Sequence, residues 1–267
     1  MRQGVAPARA SPRYSGIHIA FGVVPRAAPA SDALRPAPSE VHQWFSAGAY
    51  ALCVSAGVGA LHAGLADGGG AAGGGAVAEA AAPAAGAPCL ALCWQDASPA
   101  GENANWDASE VRAACLARLR SGAFPPEVVA LADAAERFFE VGVCFHDPLP
   151  AGAWSSPSGR VALLGDAAHA MAPFLGQGAN QAIQDAAALA TRLAAVGASY
   201  VSQAAALAAY EAARRPPTAA LQTSSRAIGL LDTLPAPWHP LRDAALWFAG
   251  ATGIAGAVFV NGALPRV

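Results

Sequence analysis

The residues of this sequence best suited to chemistry are an acid, Asp166, and a short loop that contains Gly176 and Gly178. Asp166 directly follows the apolar run VALLG. A carboxylate at the C-terminal end of a parallel strand lies where α/β sheets bind their ligands. The side chain could accept hydrogen bonds from ligand hydroxyls, or it could cap the short turn that follows, and its type alone leaves both roles open.

The two glycines allow the main chain to approach a flat ligand closely, and a helix is predicted to begin near Ala179. The free N–H groups and positive dipole end of such a helix favour a ligand that gains negative charge, by about 1 to 2 kcal/mol in a partly buried site. A reduced flavin gains charge near its N1 and C2 carbonyl, and its ribityl hydroxyls suit a nearby acid. Glycine-rich loops before helices also bind phosphates, but this loop lacks Lys and Arg, so phosphate is the weaker interpretation.

The residues that precede position 150 predict a β-rich layer with helices on one side, an α+β pattern. Alternation and β-branched content predict strands, and helical periodicity predicts helices. The predicted strands are 15–24, 43–55, 88–95 and 139–145, and the predicted helices are 109–120 and 126–138. A Gly/Ala-rich tract at about 57–87 predicts a flexible insertion. Its glycines do not match a dinucleotide fingerprint, because His62 stands where the third glycine is required.

The character of the sequence changes after residue 159. VALLG, at 161–165, has the length and composition of a strand buried on both faces of a parallel sheet, yet no βαβ unit upstream supplies parallel neighbours. This mismatch indicates that the chain holds one strand of a sheet whose other strands lie elsewhere. Helical patterns follow at 180–196 and from 202 to about 231, and Pro216 and Pro217 predict a break in the second of these helices.

Composition excludes several function classes. The net charge is −2 and there is no basic run, so no nucleic-acid partner is expected. Five cysteines without paired spacing indicate neither a disulfide framework nor a zinc site, and they are expected to be buried small hydrophobes; no metal is predicted. The uncharged run 244–260 is too short to cross a bilayer, which favours either a packed helix or a surface-docked helix in peripheral contact with a membrane.

The first 31 residues contain four Arg and no acid, a composition that suits an organelle transit peptide. The rival interpretation is that the chain starts partway along a longer protein. The compartment, cytoplasmic or plastid and organellar, is left open by the sequence.

The stretch GRVALLGDAAHAMAPFLGQGANQAIQDAAALA, at 159–190, closely resembles the second flavin-contacting motif of FAD-dependent aromatic-ring hydroxylases and related flavoprotein monooxygenases of the salicylate-hydroxylase and zeaxanthin-epoxidase types. PRYSG at 12–16, DPLPAGAW at 147–154 and YEAARRP at 210–216 resemble the same family in the expected order. The resemblance therefore covers roughly residues 10–230.

The resemblance implies a partial FAD-binding domain of the Rossmann-like, glutathione-reductase type, joined to a β-sheet substrate domain and C-terminal helices. We expect a substrate-side domain at 1–150, the C-terminal part of the FAD-binding domain at 151–200, and a helical region at 201–267. The sheet strands near 17–24, 43–53 and 90–94 would face the substrate. The residues expected to bind FAD are Gly165, Asp166, Pro173, Gly176, Gln177, Gly178, Ala179 and Asn180. His169 also matches the family pattern, and a structural hydrogen-bonding role is favoured for it over acid–base chemistry.

The implied reaction uses NAD(P)H to reduce FAD and O₂ to hydroxylate or epoxidise an aromatic or polyene substrate; the cofactor carries this chemistry, and no protein general base is identified. His146 stands where the family often has Arg before the D-P-L-P turn. The family's G-x-G-x-x-G segment and a second acidic motif are absent, so we expect an N-terminally truncated chain. The alternative hypothesis is a non-catalytic fragment, or a subunit that completes its site with a partner.

Overall fold

The computed structural model describes residues 11–25, 28, 34–36, 40–56, 87–98, 109–198 and 201–264. The chain divides into two compact units: a sheet unit, residues 18–141, and a helical unit, residues 1–17 with 142–267. The tract expected to form an insertion at about 57–87 lies, apart from its last residue, outside the described residues, as do residues 1–10 of the Arg-containing N-terminus.

Within its described residues, the sheet unit contains five strands in the order β2-β3-β4-β1-β5. They are β1 (Arg13–Val23), β2 (Val41–Ser46), β3 (Ala49–Ala56), β4 (Ala87–Gln95) and β5 (Arg137–Phe145), and the unit boundaries fall within β1 and β5. β2 pairs antiparallel with β3, and β3 pairs antiparallel with β4. The single strand expected at 43–55 is therefore wrong: Gly48, with φ of 69°, supports a tight turn that folds this segment into a hairpin.

The described part of the same unit also contains two helices, α1 (Ser109–Ser121) and α2 (Pro126–Asp133). They contribute Val111, Leu119, Val128 and other apolar side chains to the core beneath the sheet. The helix expected to continue to residue 138 ends at Asp133. The chain there turns into β5, and the Glu136 N–H donates to the Val23 carbonyl at 3.0 Å.

The helical unit holds five helices within the described residues, together with two 3₁₀ turns. The helices are α3 (Asp166–His169), α4 (Gly178–Gly197), α5 (Gln203–Asp232), α6 (His239–Ala251) and α7 (Ile254–Ala263). The 3₁₀ turns are Pro173–Leu175 and Ala236–Trp238. A small core of this unit surrounds Trp154, Leu163 and Tyr210.

Within the described residues, the run 161–165 has no parallel neighbour: Ala162 forms one isolated antiparallel bridge with Ser155, and Leu163 is buried whereas Val161 and Leu164 are exposed. That it belongs to a sheet whose other strands lie elsewhere stays a prediction. One prediction for this unit is wrong. Pro216 and Pro217 do not break the second long helix, because α5 continues through them and buries Arg214 and Thr218 on either side. Tertiary packing against α4 outweighs the local cost of proline.

The uncharged run 244–260 forms parts of two short helices, separated at Gly253, where φ is 75°. Among the described residues, no helix has the length and apolar character needed to cross a bilayer.

Candidate cofactor-binding site

A cleft of about 460 Å³ opens in the helical unit between the start of α3 and the start of α4. Its volume lies within the range typical of small-molecule sites. Five of the eight residues expected to bind a cofactor line it, namely Asp166, Pro173, Gly176, Gly178 and Ala179, together with Met171 and Ala182. Gly165, Gln177 and Asn180 are not among the lining residues.

Asp166 reaches this cleft because the chain turns sharply just before it. Gly165 occupies the N-cap position of α3 with φ of 54°, and a Cβ placed there would lie 3.2 Å from Cβ of Ala182. Only glycine fits both the backbone angle and the close approach to α4. Asp166 is the first residue of α3, and no side chain caps this helix, so the carboxylate is exposed toward the cleft and is not used as a cap.

The opposite part of the cleft is formed largely by backbone. A Cβ built on Gly176 or Gly178 would meet nothing within 4 Å, so both residues present open main chain, and Gly176 has φ of 62°. α4 begins at Gly178, and its first N–H groups have no acceptor within the helix. The partial positive charge of this helix end favours electron-rich or anionic ligand atoms.

A buried ionic cluster fixes the turn before Asp166. Asp185, on α4, is fully buried and accepts hydrogen bonds from the Gly165 N–H at 2.9 Å, His169 Nε2 at 2.5 Å and Arg214 Nε at 2.8 Å. Burial alone would raise the pKa of Asp185, but the hydrogen bond and charge of His169, with the hydrogen bonds from Arg214 and the Gly165 N–H, lower it overall. His169 is thus buried in a hydrogen bond between elements, as a structural role requires.

Arg214 links this cluster to the N-terminus of α4. Its guanidinium donates to Gln184 Oε1 at 2.9 Å and to Gln181 Oε1 at 2.6 Å. Gln184 donates in turn to Asn180, and Asn180 Nδ2 donates to Gln177 Oε1 at 2.9 Å. Gln177 and Asn180 therefore stabilise the start of α4 through their side chains.

Tyr210 and Glu211, which also belong to the YEAARRP motif, form hydrogen bonds between elements as well. Tyr210 donates its hydroxyl hydrogen to the Leu163 carbonyl at 3.1 Å, and burial, reinforced by Asp185, raises its pKa well above the usual range. Glu211 accepts hydrogen bonds from the N–H groups of Gly152 and Trp154. This motif therefore holds the segments on both sides of the short bridge at Ser155.

Sequence reasoning missed Gln181, Gln184 and Asp185, although it predicted the helix that carries them. A signal was present, because these polar residues recur at i, i+3 and i+4 within an otherwise alanine-rich helix. Buried polar groups need partners, so such a row indicates a polar neighbour, here Arg214.

In the sheet unit, Phe21 and Phe139 stack with ring centroids 4.9 Å apart, and Phe45 lies 5.9 Å from Tyr50. Trp94 belongs to the core, where the Arg118 guanidinium lies 4.6 Å from its ring centroid, as expected for a core aromatic. The buried His18, which sequence reasoning did not single out, forms hydrogen bonds with Glu140 and with the Ser98 carbonyl.

Residues 152–225 match the family described as the FAD binding domain. This segment contains every residue expected to bind the cofactor. The resemblance to FAD-dependent monooxygenases, stated above from the sequence, is thereby confirmed, as is the expected fold class.

Individual proteins with similar sequences are also named as monooxygenases. The chain is 42% identical over 118 residues to a 3-amino-4-hydroxybenzoate 2-monooxygenase of Streptomyces platensis, a match that covers 44% of this chain and 28% of the relative. It is 53% identical over 68 residues to a kynurenine 3-monooxygenase of Salinispora arenicola, which covers 26% of this chain and 14% of the relative. The matched region is thus well under half of each relative's length.

Solved structures show the same fold at lower identity. HpxO of Klebsiella pneumoniae, in complex with FAD and uric acid, has 22% identity and a TM-score of 0.66, covering 98% of this chain and 57% of that one. A salicylate hydroxylase in complex with its substrate has 22% identity and a TM-score of 0.61, covering 96% of this chain and 58% of that one. The chain therefore spans a little over half the length of these neighbours.

Proposed function

We propose that this chain takes part in FAD-dependent monooxygenation of a small aromatic compound, with NAD(P)H as the reductant. The observation that carries the proposal is that Asp166, Gly176 and Gly178 line a single cleft. Flavin monooxygenases that act on aminohydroxybenzoate and kynurenine are among the relatives that match the chain. Hydroxylation is favoured over epoxidation by these relatives, and a polyene substrate becomes the weaker alternative.

The lining of the cleft supports a flavin as its ligand. Gly176 and Gly178 leave room for a flat ring at the backbone, and the start of α4 would stabilise negative charge on its N1 and C2 carbonyl side. The Asp166 carboxylate would accept hydrogen bonds from ribityl hydroxyls. Gly165 and Pro173 would shape the two turns, whereas Gln177, Ala179 and Asn180 would form and stabilise the helix start. FAD, when bound, supplies the redox chemistry and oxygen activation.

The protein's own contribution is to hold and orient the cofactor. Asp185 accepts hydrogen bonds from the Gly165 N–H and from Arg214, and this would help to position Asp166 relative to the start of α4. Phe21 and Phe139, which are half-buried side chains of the sheet unit, would suit contact with an aromatic substrate.

The direct test is addition of FAD to the purified chain, followed by gel filtration and an absorption spectrum. We expect a yellow protein with about one flavin per chain. A protein that stays colourless at high FAD concentration would contradict the proposal and favour the alternative of a non-catalytic or partner-dependent polypeptide.

We propose a second property, peripheral contact of residues 244–260 with a lipid surface. Trp247, Phe248 and Val260 are 74%, 56% and 57% exposed, and this part of α6 and α7 carries no charged residue. Helices of 13 and 10 residues are too short to span a bilayer, but they can lie at its interface, where Trp is favoured.

A further inference from the structure

The second half of α5 carries a row of buried polar side chains where an apolar face would be expected. Gln222 and Ser225 are 5% and 0% exposed, and Gly229 follows one turn later on the same face. All three face the segment 170–175, which leads into the cofactor cleft. Burying an unpaired polar side chain costs free energy. This row therefore indicates that the helix face forms specific hydrogen bonds with the segment it faces.

Ser225 is bonded differently from the threonines of this helix and its C-cap. Thr218, Thr223 and Thr233 donate to carbonyls of α5 itself, three or four residues earlier. Ser225 Oγ donates instead to the Ala172 carbonyl at 2.6 Å, and it accepts a hydrogen bond from the Leu175 N–H at 3.2 Å. Its hydroxyl therefore reaches across to another element.

The two hydrogen bonds of Ser225 involve the two ends of one step of the loop. Ala172 and Leu175 are three residues apart, and in an ordinary 3₁₀ turn the carbonyl of the first would accept directly from the N–H of the second. The Ser225 hydroxyl lies between these two groups and bonds to both. The next bond of the turn, from the Gly176 N–H to the Pro173 carbonyl at 2.9 Å, is formed in the ordinary way. The serine thus ties both ends of the first step of the turn to α5, immediately before Gly176.

Neighbouring contacts hold the same segment on either side. Gln222 Nε2 donates to the His146 carbonyl at 2.9 Å and to the Ala170 carbonyl at 3.3 Å. The ring of Phe174 packs against Gly229 so closely that a Cβ there would lie 2.1 Å from it. The segment is therefore attached to α5 at three successive levels, and the serine is the middle attachment.

From these contacts we infer that Ser225 is a positioning residue for the cofactor: its hydroxyl sets the direction of Gly176 and of the α4 start, and thereby the affinity and electronic environment of a bound flavin. The choice of FAD as the ligand rests on the proposed function, whereas the effect of Ser225 on the loop does not. Without the hydroxyl, the Ala172 carbonyl and the Leu175 N–H either remain buried and unpaired or bond to each other and tighten the turn. Both outcomes move the backbone that lines the cleft.

The test compares Ser225→Ala with Thr223→Ala, which removes an exposed hydroxyl from the same helix that bonds only within it. Hydrogen exchange of the full chain without cofactor reports on the loop. We expect exchange of the Leu175 and Gly176 amides to change at least tenfold in Ser225→Ala, faster if the Leu175 N–H is left unpaired and slower if the turn tightens, and to stay unchanged in Thr223→Ala. Unchanged exchange at these amides in Ser225→Ala would overturn the inference.

FAD titration and spectroscopy test the consequence for the cofactor. In Ser225→Ala we expect the FAD dissociation constant to rise about tenfold, with a shift of the visible flavin bands that Thr223→Ala does not show. A purely structural serine would lower the melting temperature and leave the bands of the remaining bound flavin in place, which would contradict the inference. If the unmodified chain binds no FAD, the proposed function fails, and the exchange experiment still decides whether Ser225 positions the loop.

Discussion

Asp166 is the residue whose chemistry can be tested most directly, because it lines the cleft yet is exposed and uncommitted to the fold. We expect Asp166→Ala to raise the FAD dissociation constant about 10- to 100-fold, since charge-assisted hydrogen bonds to hydroxyls contribute about 1.5 to 3 kcal/mol. The melting temperature should change by no more than about 1 °C. Fluorescence quenching of added FAD and thermal unfolding measure the two effects.

Asp133→Ala is the matched control for this substitution. Asp133 is an exposed acid at the end of α2, in the sheet unit, with only a long ion pair to Arg112. The Asp133→Ala substitution should leave FAD affinity unchanged. Equal affinities of Asp166→Ala and the unmodified chain would show that the ribityl hydroxyls are bound elsewhere.

Asp232, at the end of α5, makes the stability of the helical unit depend on pH. Burial raises the pKa of this carboxyl to about 7, and the charge of Arg242 offsets only part of the effect. The folded state therefore holds a proton that the unfolded state releases near pH 4. The resulting stabilisation is complete below about pH 4 and is lost as the pH rises through about 7.

We expect the Asp232 contribution to the free energy of unfolding to fall by roughly 2 kcal/mol between pH 5.5 and pH 8. Asp232→Asn should remove this dependence and be more stable than the unmodified chain at pH 8. Urea unfolding of both proteins at the two pH values measures the difference between their free energies of unfolding. Because Asp185 is present in both proteins, its opposite effect cancels in this difference. A stability difference that does not vary with pH would refute the assignment to Asp232.

At the scale of elements, the packing of α5 against the loop before Gly176 requires a residue without a side chain on α5. Gly229 lies inside a helix, where alanine is ordinarily more stable by about 0.5 to 1 kcal/mol. Here an added methyl would overlap the Phe174 ring, because the Cβ position lies 2.1 Å from Cε2. We expect Gly229→Ala to destabilise the protein by roughly 1 to 3 kcal/mol and to weaken FAD binding.

Gly250→Ala provides the control for this effect. Gly250 is exposed near the end of α6, and a Cβ there meets nothing within 4 Å. Alanine at this position should be neutral or stabilising by a few tenths of a kcal/mol. Chemical denaturation of both variants decides the matter, and an increase in stability for Gly229→Ala would contradict the packing described for Phe174.

Elements whose pattern is local could be predicted from the sequence, and those that depend on distant partners could not. The alternation in β1 and β4 and the periodicity of α1 and α4 are local, and the structure has these elements within a few residues of the expected bounds. The continuation of α5 through Pro216 and Pro217 depends on packing against α4, which no short window of sequence contains.

The same distinction applies to the candidate site. Asp166, Gly176 and Gly178 stand in one contiguous motif, so their presence around a single cleft follows from nearby sequence. Arg214 and Ser225 lie 29 and 53 residues from Asp185 and Ala172, the partners they bind. Their roles therefore became visible only from contacts in three dimensions.

At the scale of the whole molecule, the exposed apolar side chains of α6 and α7 predict an interaction with lipid. We expect the chain to co-sediment with vesicles of zwitterionic lipid, with a blue shift of tryptophan fluorescence as Trp247 leaves water. The double substitution Trp247→Ser and Phe248→Ser should abolish sedimentation while FAD binding is retained.

Ile183→Ser is the control for this experiment, because Ile183 is an apolar side chain on α4 that is 70% exposed and lies outside the C-terminal helices. It should sediment like the unmodified chain. Failure of the unmodified chain to sediment, or equal sedimentation of the double variant, would rule out a lipid surface as the ligand of this region.

The open backbone at Gly176 and Gly178 has a further consequence for how the site tolerates change. A recess formed by the absence of side chains can be altered at these positions only by adding atoms, so every substitution reduces the room available. Variation at Asp166 can lengthen, shorten or neutralise a side chain and so adjust affinity in small steps. Selection for tighter or weaker cofactor retention would therefore be expected to act through the acid, while the two glycines stay fixed.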